Sequence, residues 1–213
     1  MNTPSVSPTP VASPPAGIDV RDAAWVRVPT RLSPEALARE LADAEVLLRL
    51  NPYYYFRTCR RSAPDSYHAE FENQSNQQQL VVDIDVARGP GPGLTLNYRQ
   101  GLKRRTLFTI EPGALGSTLV VTDDYSGTSE EERKQREAEV DKSLLAWGEA
   151  LRVYFLRLQR YSRIPGWRGY IRRLWIPMKP SARRIVWLLY LITLVEFLFF
   201  CFVVLIWWVE HQK

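Results

Sequence analysis

The reactive side chains of this 213-residue chain are few: two cysteines and two histidines. Cys59 and His68 lie in YYYFRTCRR (53–61) and YHAEFEN (67–73), two strand-like runs on either side of SAPDS. Pairing them about that turn sets His68 opposite Arg60 rather than Cys59, so a Cys–His nucleophile pair lacks its geometry. One histidine there and two separated cysteines, Cys59 and Cys201, cannot assemble a four-ligand zinc site or a disulfide framework. No metal and no cofactor is therefore expected. Asp83 with Asp85, and Asp123 with Asp124, are spaced as paired carboxylates for acid/base work. The blander reading is preferred, in which they are solvated outer-face acids opposite Arg57, Arg99 or Arg105. The glycine-rich RGPGPG (88–93) lacks the lysine, spacing and following helix of a phosphate loop. No catalytic residue emerges.

The sharpest ionisable residue is Glu196, because of its surroundings. It interrupts IVWLLYLITLVEFLFFCFVVLIWWV (185–209), an otherwise apolar run of 25 residues. As a helix this run reaches about 37 Å, enough to cross a hydrocarbon layer of about 30 Å with some tilt. Trp187 and Tyr190 at one end, and Trp207 and Trp208 at the other, suit the two interfaces. A single transmembrane helix over 185–209 is expected, with residues 210–213 as a short tail. An acid near mid-span costs about 2.5–3.5 kcal/mol on insertion scales, so such groups usually pair or face another helix; a protonated acid tolerated in a very apolar helix is the alternative. Tyr190, Thr193 and Glu196 form a mildly polar strip for self-association or for a membrane protein partner.

Before the span, residues 163–184 carry seven basic residues and no acid. The whole chain is +5, so the remainder is about 5 − 7 = −2. Basic charge next to lipid, rather than spread over a folded face, points to a bilayer and away from nucleic acid. The positive flank predicts that the N-terminal side is cytoplasmic, taken here as the face of a bacterial inner membrane. In GWRGYIRRLW, Trp167, Tyr170, Ile171, Leu174 and Trp175 share one helical face. Trp167, Arg168, Tyr170, Arg172, Arg173, Trp175, Lys179, Arg183 and Arg184 are the expected membrane-surface set. Packing of that face on the folded domain is the alternative.

What remains is one domain over 21–162. Residues 1–20 are Pro/Ser-rich and expected to be disordered, without the charged and apolar regions of a cleavable signal. WVRVP (25–29) reads as a strand. Ser33, Pro34 and Glu35 start a helix, and a second short one holds Val46, Leu47 and Leu50. Strands follow at 53–61, 67–73, 80–87, 94–99, 105–111 and 117–125, separated by turn chemistry too short for parallel crossovers. A long helix begins at a Thr128–Glu131 capping box, with Val140, Leu144, Trp147, Leu151, Tyr154 and Leu158 as its apolar stripe. The fold class is α+β: a curved antiparallel sheet around a long helix, followed by the single transmembrane helix.

This order resembles the helix-grip fold of the START-like (SRPBCC, polyketide cyclase-like) superfamily over about residues 22–160. The local likeness is RLSPEALARELADAEVLLRLNP (31–52), similar to the superfamily's opening strand, S-P-E-x-hydrophobic, A-D and P segment. The resemblance implies an apolar cavity between sheet and final helix. Strand parity assigns its lining to Tyr67, Phe71, Val82, Ile84, Leu96, Tyr98, Phe108, Ile110 and Val121, facing Trp147, Leu151 and Tyr154. Filling of the core by the same residues is the competing account. Tyrosine hydroxyls and Thr106 supply the polar groups. The expected function is a membrane-tethered binder of a hydrophobic small molecule, a lipid, quinone or similar. A non-catalytic accessory subunit of a membrane complex is the alternative, and an aromatase/cyclase-type enzyme is the least favoured.

Overall fold

The computed structural model describes residues 22–89, 91–114, 116–135, 142–161, 163–178 and 180–212. The expected disordered tail, Val140 and Lys179 lie outside these residues. The chain divides into two compact units, up to Trp167 and from Arg168 onward.

In the first unit, β1 (Ala23–Thr30) leads to α1 (Pro34–Leu41) and α2 (Ala44–Arg49). Both helices start where local chemistry dictates: Ser33 Oγ accepts from Ala36 N at 3.3 Å, and Asp43 Oδ1 from Val46 N at 3.2 Å. Each side chain satisfies an amide that has no partner within its helix. Six strands follow: β2 (Tyr54–Ala63), β3 (Ser66–Asn73), β4 (Gln78–Ala87), β5 (Leu94–Tyr98), β6 (Arg105–Gly113) and β7 (Gly116–Asp124). They form one seven-stranded sheet ordered β1-β7-β6-β5-β4-β3-β2, antiparallel throughout. α3 (Glu130–Gln135) and α4 (Leu144–Tyr161) close the unit.

Trp147 on α4 shows how the sheet and helix fit. Its ring lies 5.5 Å from Phe108 on β6 and 6.1 Å from Tyr54 on β2. Those strands are four spacings apart, about 19 Å across a flat sheet. One indole reaches both only if the sheet wraps the helix. This is a helix-grip. The indole N–H also donates to Leu47 O at 2.9 Å, fastening α2 to the same helix. At the other edge α4 presses on β1, where a Cβ on Gly148 would lie 2.7 Å from a Val26 methyl.

The expected single helix from 128 is not continuous, because Lys142 and Ser143 are non-helical and α4 starts afresh at Leu144. Nor does Thr128 cap its start. The Thr128 hydroxyl donates to Leu102 O, and Ser129 Oγ accepts from Glu132 N at 3.2 Å.

The second unit begins within α5 (Trp167–Tyr170), continues as a π-helical turn (Ile171–Trp175) and enters α6 (Pro180–His211). The π-turn, closed by Ile176 N to Ile171 O at 2.8 Å, replaces the expected regular amphipathic helix. Arg183, assigned from sequence to the membrane surface, turns inward instead. Its guanidinium donates to Trp175 O at 2.9 Å, Ile176 O at 2.8 Å and Met178 O at 3.0 Å. Those carbonyls lie at the end of a helical turn, where backbone acceptors have spare capacity for a cationic donor, which accounts for the arginine's orientation. α6 has 32 residues, about 48 Å in length, and is exposed from Trp187 to Val209. By length and composition it can cross a membrane.

Candidate functional site

The cavity lies at one end of the grip. The β3–β4 connection, the β5–β6 loop and the residue after β7 converge there on Tyr54 of β2. Its lining is Tyr54, Phe71, Asn73, Asn76, Gln78, Leu80, Val82, Tyr98, Gln100, Gly101, Leu102, Lys103 and Tyr125, around a space of about 60 Å³. Apolar walls with amides at the rim come from strand parity and from the turn residues between β3 and β4. Gly101 has φ 99°, a left-handed conformation that glycine adopts without steric cost, and it lets the β5–β6 loop fold back over the opening.

Lys103 sits in that loop, with its side chain only 11% exposed. Its ammonium donates to Tyr54 Oη at 3.1 Å and to Asp123 Oδ2 at 3.2 Å. It also stands 5.2 Å from the Tyr98 ring centroid, 5.8 Å from Tyr54 and 5.9 Å from Trp147. Aromatic faces carry negative quadrupole density, so they help replace the water that the cation has lost. Asp123 takes a further hydrogen bond on Oδ1 from the Thr106 hydroxyl. With its proton committed there, Thr106 accepts from Tyr98 Oη at 3.2 Å. Tyr98, Thr106, Asp123, Lys103 and Tyr54 thus form one continuous polar chain, of which Tyr54, Tyr98 and Lys103 line the cavity.

Asp123 and Asp124 are not the solvated acids that their sequence suggests. Both are fully buried, and Asp124 is paired with Arg105 Nε at 2.6 Å. Burial raises the Asp124 carboxyl, but the Ser126 and Arg105 hydrogen bonds outweigh it and hold the group below its ordinary range. The signal was present in the alternation. Leu119 and Val121 face inward, so Asp123 does too, and the same step from Phe108 gives Thr106. Lys103, in a loop, had no such signal.

Of the residues assigned to the lining by parity, Phe71, Val82 and Tyr98 border the cavity. Tyr67, Ile84, Leu96, Phe108, Val121, Trp147, Leu151 and Tyr154 are buried, and Ile110 is half-buried. Tyr54 and Phe56 each pack on Phe71, with centroids 4.4 and 5.1 Å apart, and Tyr54 continues the cluster to Trp147. Phe108 and Ile110 border a separate open groove of about 300 Å³ beside the 89–95 loop.

The other candidate chemistry is dispersed. His68 pairs with Arg60 across the β2–β3 ladder and Cys59 with Ala69. His68 Nδ1 lies 2.8 Å from Asp83 Oδ1 on the water-facing side, while burial pushes the Cys59 thiol up to about 11, against nucleophilic use. Asp85 is held by Arg99 at 2.8 Å. Among the described residues no group of three His, Cys, Asp or Glu side chains could hold a metal ion. In the second unit, Arg168, Arg173 and Arg184 are exposed, and Trp167, Tyr170, Arg172 and Trp175 are half-buried. Tyr190, Thr193 and Glu196 are exposed on α6.

No family model and no curated protein sequence matches the chain. Solved structures similar to it include a START superfamily protein from Mycobacterium smegmatis, 19% identical with a TM-score of 0.49. That likeness covers 64% of this chain and 99% of the other. A protein from Rhodobacter sphaeroides is 15% identical with a TM-score of 0.47, covering 67% and 97%. One from Thermus thermophilus is 14% identical with a TM-score of 0.47, covering 63% and 96%.

Proposed function

We propose that the chain is a membrane-tethered START-like module that holds an apolar small molecule, a lipid, quinone or similar, at the Lys103 end of the grip. The carrying observation is a cavity with apolar walls whose floor is a sequestered ammonium linked to two tyrosines. Apolar walls plus a few convergent polar groups are what orient such a ligand. About 60 Å³ is well below the ~300–1,000 Å³ of ligand pockets. Uptake therefore requires the Gly101 loop and the Tyr54 ring to move aside, or admits only one end of the molecule. α6 and the basic residues 163–184 support a tether on the cytoplasmic face, where an insoluble ligand reaches the cavity without crossing water. Glu196, with Tyr190 and Thr193, supports pairing of the anchor with a second helix. Glu196→Leu is expected to abolish crosslinked dimers or hetero-complexes in detergent.

Leu80→Trp tests the cavity. Leu80 is half-buried at the lining, so a larger ring there blocks the space with little disturbance of the core. Organic extracts of the purified full chain should contain a stoichiometric apolar compound that the variant lacks. Equal extracts from both proteins contradict the reading. The small volume also favours a second reading, an accessory module with a filled core that docks on a membrane complex. That account predicts no extracted compound and an equimolar co-purifying protein.

A further inference from the structure

The cavity carries information about the head of its ligand as well as its body. Among the described residues lining it, Lys103 is the one charged side chain, and the others are amides, phenols and apolar groups. Asp123, which is not among the lining residues, lies 3.2 Å from the ammonium with its side chain 1% exposed. The cavity therefore meets the positive end of a buried dipole and not an isolated cation. A ligand oxygen hydrogen-bonded to the ammonium at about 3 Å, opposite Asp123, would stand about 6 Å from the carboxylate. Coulomb's law then cancels about half of the attraction that a full negative charge would feel from Lys103. Burying that charge still forfeits its hydration. A neutral oxygen has little hydration to lose and keeps its hydrogen bond to the ammonium. Cations are disfavoured because the ammonium faces them first.

Resting on the ligand-binding reading above, we infer that the site selects apolar molecules with a neutral hydroxyl or carbonyl head over carboxylates and amines, and that Asp123 is the residue that sets this choice. Asp123 acts through Lys103 and is a positioning and specificity residue, not a contact to the ligand.

The test is equilibrium dialysis of the full chain in detergent at about pH 8, where octanoate is ionised. Octanol and octanoate are the probes, and Leu80→Trp sets the micelle background. Wild type should bind octanol about tenfold or more tightly than octanoate. Asp123→Asn should raise the affinity for octanoate relative to octanol about tenfold. Octanoate binding wild type as tightly as octanol overturns the inference and leaves the cavity assignment standing, as does an Asp123→Asn protein with an unchanged ratio. If neither probe exceeds the background, both this inference and the ligand-binding reading fail. Should Asp123→Asn not fold, the wild-type ratio alone decides.

Discussion

Lys103 and Asp123 set the residue-scale energetics of the grip. A buried ion pair adds little net stability over an apolar replacement, yet breaking it leaves a carboxylate with nothing to offset its lost hydration. Lys103→Met should therefore cost about 3–5 kcal/mol of unfolding free energy in urea titrations. Adding Asp123→Asn should recover most of that loss, and no recovery would mean that the lysine matters through packing instead. At the surface, His68 reports a second pair. Its hydrogen bond to the Asp83 carboxylate raises its pKa above the ordinary 6.5, and Asp83 is correspondingly lowered. A histidine raised in the folded state contributes stability that is fully present below its unfolded pKa and is lost as pH rises through the folded one. An NMR titration should place His68 above 6.5, and Asp83→Asn should bring it back. The His68–Arg60 register was legible from turn length alone. The His68–Asp83 pair was not, because it depends on how β3 lies beside β4. Asp123 was legible in principle and misread, since charge outweighed alternation in assigning its face.

Elements were far more legible than sites. Seven strands, the Ser33-capped helix and the apolar stripe of the final helix follow from alternation, turn residues and capping chemistry, all local signals. What escaped is non-local: the break at Lys142–Ser143, and the π-turn whose carbonyls recruit Arg183. Gly148 is another case, a helix-interior glycine whose cause lies across the interface on β1. In an exposed helix Gly→Ala gains about 1 kcal/mol. Here the new methyl meets Val26 methyls at 2.7 and 2.8 Å, and overpacking costs about 1–3 kcal/mol. Gly148→Ala should be neutral to destabilising by about 2 kcal/mol, and Gly148→Ala with Val26→Ala should relieve the contact. A clear gain from the single substitution would show that α4 does not press on β1. Arg183→Met should accelerate amide exchange around Ile176 and Met178, because the guanidinium that ties three carbonyls of this turn together is then lost.

For the whole molecule, the two units divide the work: one presents a cavity and the other an apolar helix preceded by basic residues. The helix was legible because 25 consecutive positions repeat one message, and its observed bounds run a little past both ends. The cavity's size was not, since volume is what remains after every side chain has packed, and the Tyr54–Phe71–Trp147 stack leaves little. Removal of Ile185 onward should shift the protein from the pelleted to the soluble fraction of carbonate-washed membranes. Persistence in the pellet would transfer the anchoring to the basic residues. The account as a whole meets its most direct test in native mass spectrometry of the full chain released from gently solubilised membranes. It predicts the chain's mass plus one apolar small molecule of neutral head. A bare chain accompanied by an equimolar partner protein would contradict it.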